Sequence, residues 1–132
     1  MKRILIVLSF FSYNFLIANT VTITNIGSAF SPDTLIVNVG DTVTFNISNS
    51  HNAVEVSQST WLANDTTSNG GFSLPNGGGS VIMNVAKTYY YVCQPHVGGG
   101  IGMKGVIISN EIPGCMDALA CNFYSTATID DG

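Results

Sequence analysis

Two short segments of the chain contain side chains that could carry chemistry: Ser50-His51-Asn52, and Tyr91 to His96 in the order Tyr-Val-Cys-Gln-Pro-His. The sequence has two histidines, and one falls in each segment. Two imidazoles, one thiolate and a weak thioether suit an ion that changes oxidation state, because thiolate favours Cu(I) while imidazole remains acceptable to Cu(II). The pattern predicts one copper ion bound by His51, Cys93 and His96, with Met103 as a weaker ligand.

The residues that follow Cys93 could bring His96 and Met103 back to the ion that Cys93 binds. Cys93 ends an apolar run, so its side chain can point from the end of a strand. Pro95 stiffens the following turn and lets His96 come back towards the same ion. Glycines at positions 98–100 and 102 make a loop flexible enough to bring Met103 beneath that ion.

Each of these residues has a more ordinary explanation when it stands alone. Cys93 would be an inert buried thiol, His51 a solvated loop residue and Met103 part of the core. We prefer a metal site because a Cys-x-Pro-His turn, a later Met and an upstream His-Asn pair all point to the same kind of centre.

The rest of the chain must supply the elements that position these ligands. Apolar side chains alternate with other residues in three runs: Leu35, Val37 and Val39; Val43, Phe45 and Ile47; Val81, Met83 and Val85. This period of two is typical of half-buried strands, and no period of 3.6 extends over a helical length. The pattern predicts an all-β fold, a sandwich or a barrel.

The stretch from Gln58 to Ser80 is rich in Asn, Ser, Thr and Gly, and this composition is typical of loops. Within it, Trp61 is expected to anchor the loops by packing, with a short helical turn at Trp61 as the alternative.

The N-terminus has the pattern of a secretory signal peptide over residues 1–20. Lys2 and Arg3 precede an apolar stretch from Ile4 to Ala18, and cleavage is expected near Ala18 to Thr20. The alternative is an uncleaved anchor, although the apolar stretch is short for a membrane span. We therefore expect a periplasmic, secreted or cell-surface protein without a membrane span in its mature chain.

Removing this segment makes the chain more acidic. Lys87 and Lys104 then stand against all eight acidic residues, for a net charge of −6. Such a surface has no electrostatic footprint for nucleic acid. It suits a soluble acidic protein, which we expect to be a monomer.

The composition changes near Ser109 to Gly114, so residues 21–110 are expected to form one domain and residues 111–132 a short appended tail. The tail contains Cys115 and Cys121, and export would place them where disulfides persist. It resembles a short cysteine-containing repeat of secreted bacterial proteins that usually continues further. Cys115 could therefore pair with Cys121 or with a later cysteine, and both pairings stay open.

A wider resemblance rests on four segments: Phe30 to Leu35, Val39 to Phe45, His51-Asn52, and Tyr89 to Gly105. Together they resemble the plastocyanin/pseudoazurin branch of the cupredoxin family, over nearly all of Val21 to Asn110. The resemblance implies a Greek-key β-sandwich and one type 1 copper ion. It also implies that the protein passes single electrons between larger redox proteins.

Matched residue by residue, the resemblance implies that His51, Cys93 and His96 are the equatorial ligands and that Met103 is the axial ligand. It also implies that Asn52 forms hydrogen bonds within the ligand loops that help to hold the thiolate. One departure concerns Met103, which lies seven residues after His96, a longer loop than in those relatives. We expect the glycine run to absorb the extra residues in a bulge. If Met103 does not reach the ion, a backbone carbonyl or no axial ligand is expected.

Three other functions compete with electron transfer. A multicopper enzyme would need further histidines, and none remain after His51 and His96, so we expect no enzymatic activity. Copper storage or delivery would use the same ligands. A metal-free adhesion domain would make the same sandwich and is favoured by the tail.

Overall fold

The computed structural model describes residues 18–120 and 122–132. Within these ranges the chain forms nine strands and one short helix. In chain order these elements are β1 Thr20–Ile26, β2 Ala29–Ser31, β3 Thr34–Asn38, β4 Thr42–Asn46, β5 Ala53–Val56, α1 Gln58–Leu62, β6 Ser68–Leu74, β7 Gly78–Ile82, β8 Lys87–Val92 and β9 Lys104–Asn110.

The strands form two sheets, with orders β2-β1-β4-β7 and β3-β9-β8-β5-β6. Most neighbours are antiparallel, but β1 runs parallel to β4 and β3 runs parallel to β9. The connection from β4 to β5 passes from the first sheet to the second, and that from β6 to β7 passes back. This two-sheet architecture confirms the predicted all-β sandwich.

The core lies between the sheets and is dominated by aromatic and β-branched side chains. Val43 and Phe45 of β4 are fully buried, as the alternation of β4 predicted. Tyr91 of β8 meets Phe45 edge to face with 5.1 Å between ring centroids, and Phe30 with 4.9 Å. Such pairs add to the hydrophobic stabilisation from burial. They hold the end of β8, which leads directly to Cys93.

The prediction that Gln58 to Ser80 consists of loops was wrong. This stretch contains α1, β6 and most of β7. Strand β6 lies at the edge of its sheet and pairs only with β5, in the part of the chain that the structure describes. Its first four residues, Ser68 to Gly71, are exposed and carry no apolar side chain, and the alternation is limited to two half-buried residues, Phe72 and Leu74. Val85, predicted to continue the apolar face of Val81 and Met83, lies beyond β7 and is 56% exposed.

After β9, residues 111–120 and 122–132 fold back on themselves. Gly114 N donates to Ile129 O at 3.0 Å, and Tyr124 N donates to Cys115 O at 2.9 Å. Cys121 lies outside the described residues, so the disulfide of Cys115 stays a prediction. The predicted signal peptide also lies almost wholly outside them. Among the helices of the described ranges, none is long and apolar enough to cross a membrane.

Candidate metal centre

Two connections between strands bring the four predicted ligands to one region. His51 lies in the connection from β4 to β5, which crosses between the sheets. Cys93 is the first residue after β8, and His96 follows in the next turn. Met103 immediately precedes β9. Since β8 and β9 are antiparallel neighbours, their connection begins and ends at the same edge.

Three of the four donor groups form a compact triangle. Cys93 Sγ lies 3.6 Å from His51 Nδ1 and 3.4 Å from His96 Nδ1. The two Nδ1 atoms are 3.0 Å apart. Among the described residues, these three side chains are the group of His, Cys, Asp and Glu placed to hold a metal ion.

The size of this triangle fits a first-row transition metal. A point equidistant from its corners lies about 1.9 Å from each, and the same donor atoms bind Zn²⁺ at roughly 2.0–2.3 Å. Two imidazoles and one thiolate in a trigonal arrangement are the donor set of blue copper sites. The residues therefore fit copper.

The two histidines differ in their exposure to solvent. Cys93 and Met103 are fully buried and His51 is 5% exposed, whereas His96 is partly exposed. The centre is thus closed on the side of His51 and meets the surface at His96.

The loop that carries three of the predicted ligands is closed by backbone hydrogen bonds. Cys93 N donates to Met103 O at 2.9 Å, and Met103 N donates to His96 O at 3.1 Å. Between them, Gly99, Gly100 and Gly102 adopt positive φ angles, which L side chains rarely reach. The extra residues before Met103 thus form a turn between fixed ends. The structure places the backbone of Met103 beside Cys93 and His96, and its role as a ligand stays a prediction.

A second set of hydrogen bonds joins the two ligand connections. Asn52 Oδ1 accepts from Gln94 N at 2.8 Å, and Asn52 Nδ2 donates to Gln94 Oε1 at 3.1 Å. Asn52 therefore links His51 to the Cys93 loop, in agreement with its expected role. The sequence analysis missed Gln94, whose position between Cys93 and His96 was the available signal.

The environment of Cys93 determines its protonation before metal binds. Burial raises the pKa of the Cys93 thiol above its ordinary value of 9.0. Backbone hydrogen bonds from Asn52 and His96 to the sulfur act in the opposite direction and offset only part of this effect. The metal-free protein therefore holds a protonated thiol at neutral pH, and a metal ion must displace that proton.

One family of known proteins matches most of the chain. The profile of the family described as copper binding proteins, plastocyanin/azurin family, matches residues 17–110. No curated protein sequence matches the chain.

Solved structures show the same sandwich. Pseudoazurin from Methylobacterium extorquens AM1 superposes with a TM-score of 0.53 and 17% identity, covering 70% of this chain and 76% of that one. Pseudoazurin from Sinorhizobium meliloti gives a TM-score of 0.52 and 24% identity, with coverages of 70% and 75%. Amicyanin from Paracoccus versutus gives 0.50 and 18%, with coverages of 72% and 85%. At these identities the likeness establishes a cupredoxin-like fold and nothing finer.

Proposed function

Because the chain belongs to the plastocyanin/azurin family of copper-binding proteins, we propose that it carries single electrons between redox proteins through one type 1 copper ion. His51, Cys93 and His96 would hold the ion, with Met103 as a weaker fourth ligand. The observation that carries this proposal is the triangle of Cys93 Sγ and the two Nδ1 atoms. When bound, copper supplies one-electron redox chemistry.

The protein's contribution is to hold the donor atoms in one geometry for both oxidation states. The Asn52–Gln94 pair fixes the two connections relative to each other. The backbone bonds of Met103 to Cys93 and His96 close the ligand loop. A rigid ligand set lowers the rearrangement that accompanies electron transfer, so exchange with a partner is fast.

The exposed edge of His96 is the proposed route for the electron. Of the four predicted ligands, His96 is partly exposed and the other three are buried. The chain after His96 continues with three exposed glycines, Gly98 to Gly100, which have no side chains, and with Ile101, which is 53% exposed. An exposed, partly apolar surface suits redox encounters, which bury little area and separate quickly.

The setting of this reaction is part of the proposal. The N-terminal pattern supports action outside the cytoplasm, after removal of the signal peptide. The excess of acidic over basic residues supports soluble redox proteins as partners and argues against nucleic acid. We propose a monomer with no enzymatic activity.

Spectroscopy and electrochemistry of the purified mature protein test the proposal. We expect one copper per chain, an intense blue absorption from the thiolate, and reduction that is fast and reversible. Copper storage would give the same colour with slow electron exchange. A metal-free adhesion domain would give no colour, and either result would reject electron transfer.

A further inference from the structure

A cluster on the outer face of the second sheet packs directly behind the metal centre. Val92 and Val97 are fully buried and form a cluster with Val56, and Trp61 of α1 packs against that cluster. Val92 precedes Cys93 and Val97 follows His96 in the chain. Val92, the last residue of β8, packs in this outer cluster, whereas Cys93 directly after it packs in the core, so contacts on Val92 constrain the backbone that carries Cys93.

Trp61 also contacts the residue that follows Met103. Lys104 follows Met103 and opens β9. Its Nζ atom donates to Trp61 O at 2.8 Å and lies 4.0 Å from the centroid of the Trp61 ring. Trp61 Nε1 in turn donates to Gly105 O at 3.1 Å. The start of β9 is therefore tied to α1 by two hydrogen bonds and a cation–π contact.

Asn64, which lies just after α1, also contacts Lys104. Asn64 has a φ of +54° and is the only non-glycine residue with a positive φ among residues 18–120 and 122–132. Its Oδ1 atom accepts a hydrogen bond from Lys104 Nζ at 2.7 Å. Asn64 N donates to Trp61 O at 3.3 Å and Asp65 N donates to Thr60 O at 3.0 Å, so the left-handed conformation of Asn64 ends α1 in a common way and leaves its side chain beside Lys104.

The same segment touches the ligand loop at another point. Gln94 Nε2 donates to Thr66 O at 3.1 Å, and Gln94 also pairs with Asn52. Residues 58–66 thus contact Gln94, which follows Cys93, and Lys104, which follows Met103.

We propose that residues 58–66 form a brace for the copper site, in which Trp61 and Lys104 are positioning residues that hold the start of β9 and so the placement of Met103. Neither residue is expected to touch the ion. The brace acts through the backbone of Met103, whose N–H and C=O bonds to His96 and Cys93 transmit the position of β9 to the other ligands. This inference rests on the proposed copper site.

Lys104→Met tests the brace because it removes the ammonium group and keeps the length of the side chain. In the copper-loaded full chain, we expect the visible bands to shift in position and relative intensity. We also expect copper to pass to an external chelator roughly tenfold faster, the lower end of the effect of groups that orient metal ligands. Lys104→Arg should restore both properties, because arginine can donate to the same oxygens and stack on Trp61.

Lys87→Met is the matched control. Lys87 also lies over an aromatic ring, 4.3 Å from the centroid of Tyr89, and donates to Glu55 Oε1 at 2.8 Å, but it is adjacent to no predicted ligand. Losing it leaves Glu55 buried without its cation, so the variant should unfold at a lower temperature. Its visible bands and its rate of copper loss should match the wild type.

A readout without copper completes the test. In the metal-free protein, Lys104→Met should speed hydrogen exchange at the Met103 amide, since that group bonds to His96 O. Trp61→Phe, which deletes only the bond to Gly105 O and part of the ring, tests the same link if Lys104→Met does not fold. A blue wild type with unchanged bands, copper loss and exchange in these variants overturns the brace alone. A wild type that binds no copper overturns both the brace and the proposed function.

Discussion

The Nδ1 atoms of His51 and His96 lie 3.0 Å apart, although the two residues are separated by 45 positions in the chain. Both rings therefore turn the same nitrogen towards Cys93 Sγ. Such an approach of two imidazoles is readily understood if both nitrogens share one cation.

Replacing Cys93 with serine should abolish the blue absorption and leave the sandwich folded. A hydroxyl of similar size fills the space, but it does not supply the soft thiolate whose charge transfer gives the colour. Cys115→Ser is the matched control and should keep the colour, since Cys115 lies in the tail. Absorption and circular dichroism spectra measure both effects, and a blue Cys93→Ser protein would contradict the assignment.

Removing each histidine should affect the site differently, because His96 is partly exposed and His51 is 5% exposed. His96→Gly should leave a gap open to solvent, so that added free imidazole enters and restores the blue band. His51→Gly should leave an enclosed gap that imidazole restores slowly or not at all. Titration of both copper-loaded variants with imidazole distinguishes them, and equal recovery would mean that the difference in burial has no functional role.

Copper binding at neutral pH should release one proton from Cys93. Burial keeps the pKa of this thiol above 9.0, and the bound form requires the thiolate. The apparent affinity should therefore rise with pH by about tenfold per unit across the neutral range. Calorimetry in two buffers with different ionisation enthalpies measures the released proton. No dependence of the heat on the buffer would show that Cys93 is already ionised or is not a ligand.

Two tyrosines of β8 should respond in opposite ways to loss of the hydroxyl. Tyr91 Oη is buried and has no hydrogen-bond partner within the described ranges, whereas Tyr89 Oη donates to Val85 O at 3.0 Å. Tyr91→Phe should leave the free energy of unfolding unchanged or raise it by up to about 1 kcal/mol, and Tyr89→Phe should lower it by about 1 kcal/mol. Denaturant unfolding of the metal-free proteins measures both. A clear loss in Tyr91→Phe would reveal a partner for this hydroxyl.

Tyr91 should also make the stability of the folded protein decrease at alkaline pH. Burial, reinforced by the charge of Asp33, raises the pKa of Tyr91 well above its ordinary value of 10.0. The unfolded chain then loses this proton at a lower pH than the folded chain, so stability falls as pH rises above 10.0. Tyr91→Phe should fall less steeply than the wild type over this range, and parallel curves would assign the alkaline loss to other groups.

The sequence predicted those parts of the fold that carry a local signal. The alternation of Val43 and Phe45 predicted a half-buried strand, and both side chains lie in the core. The order Cys-Gln-Pro-His predicted the ligand turn, because Cys93 and His96 are three residues apart and a turn brings them together.

The remaining features depend on contacts between distant residues. Strand β6 has only Phe72 and Leu74 as alternating apolar residues, and its exposed first half is a strand because β5 provides its hydrogen-bonding partner. The contact between Lys104 and Trp61 joins residues 43 positions apart, so no local sequence pattern predicts it. Glu55 has a buried carboxylate within a strand because Lys87, far along the chain, supplies its cation.

The division of the proposed ligands between two connections gives the colour of the protein a practical use. Neither the chain up to β7 nor the chain from β8 onwards contains all three corners of the triangle. A blue colony or a blue column fraction would therefore indicate that the whole sandwich has assembled. Mutant libraries of this domain could be sorted for correct tertiary structure by eye.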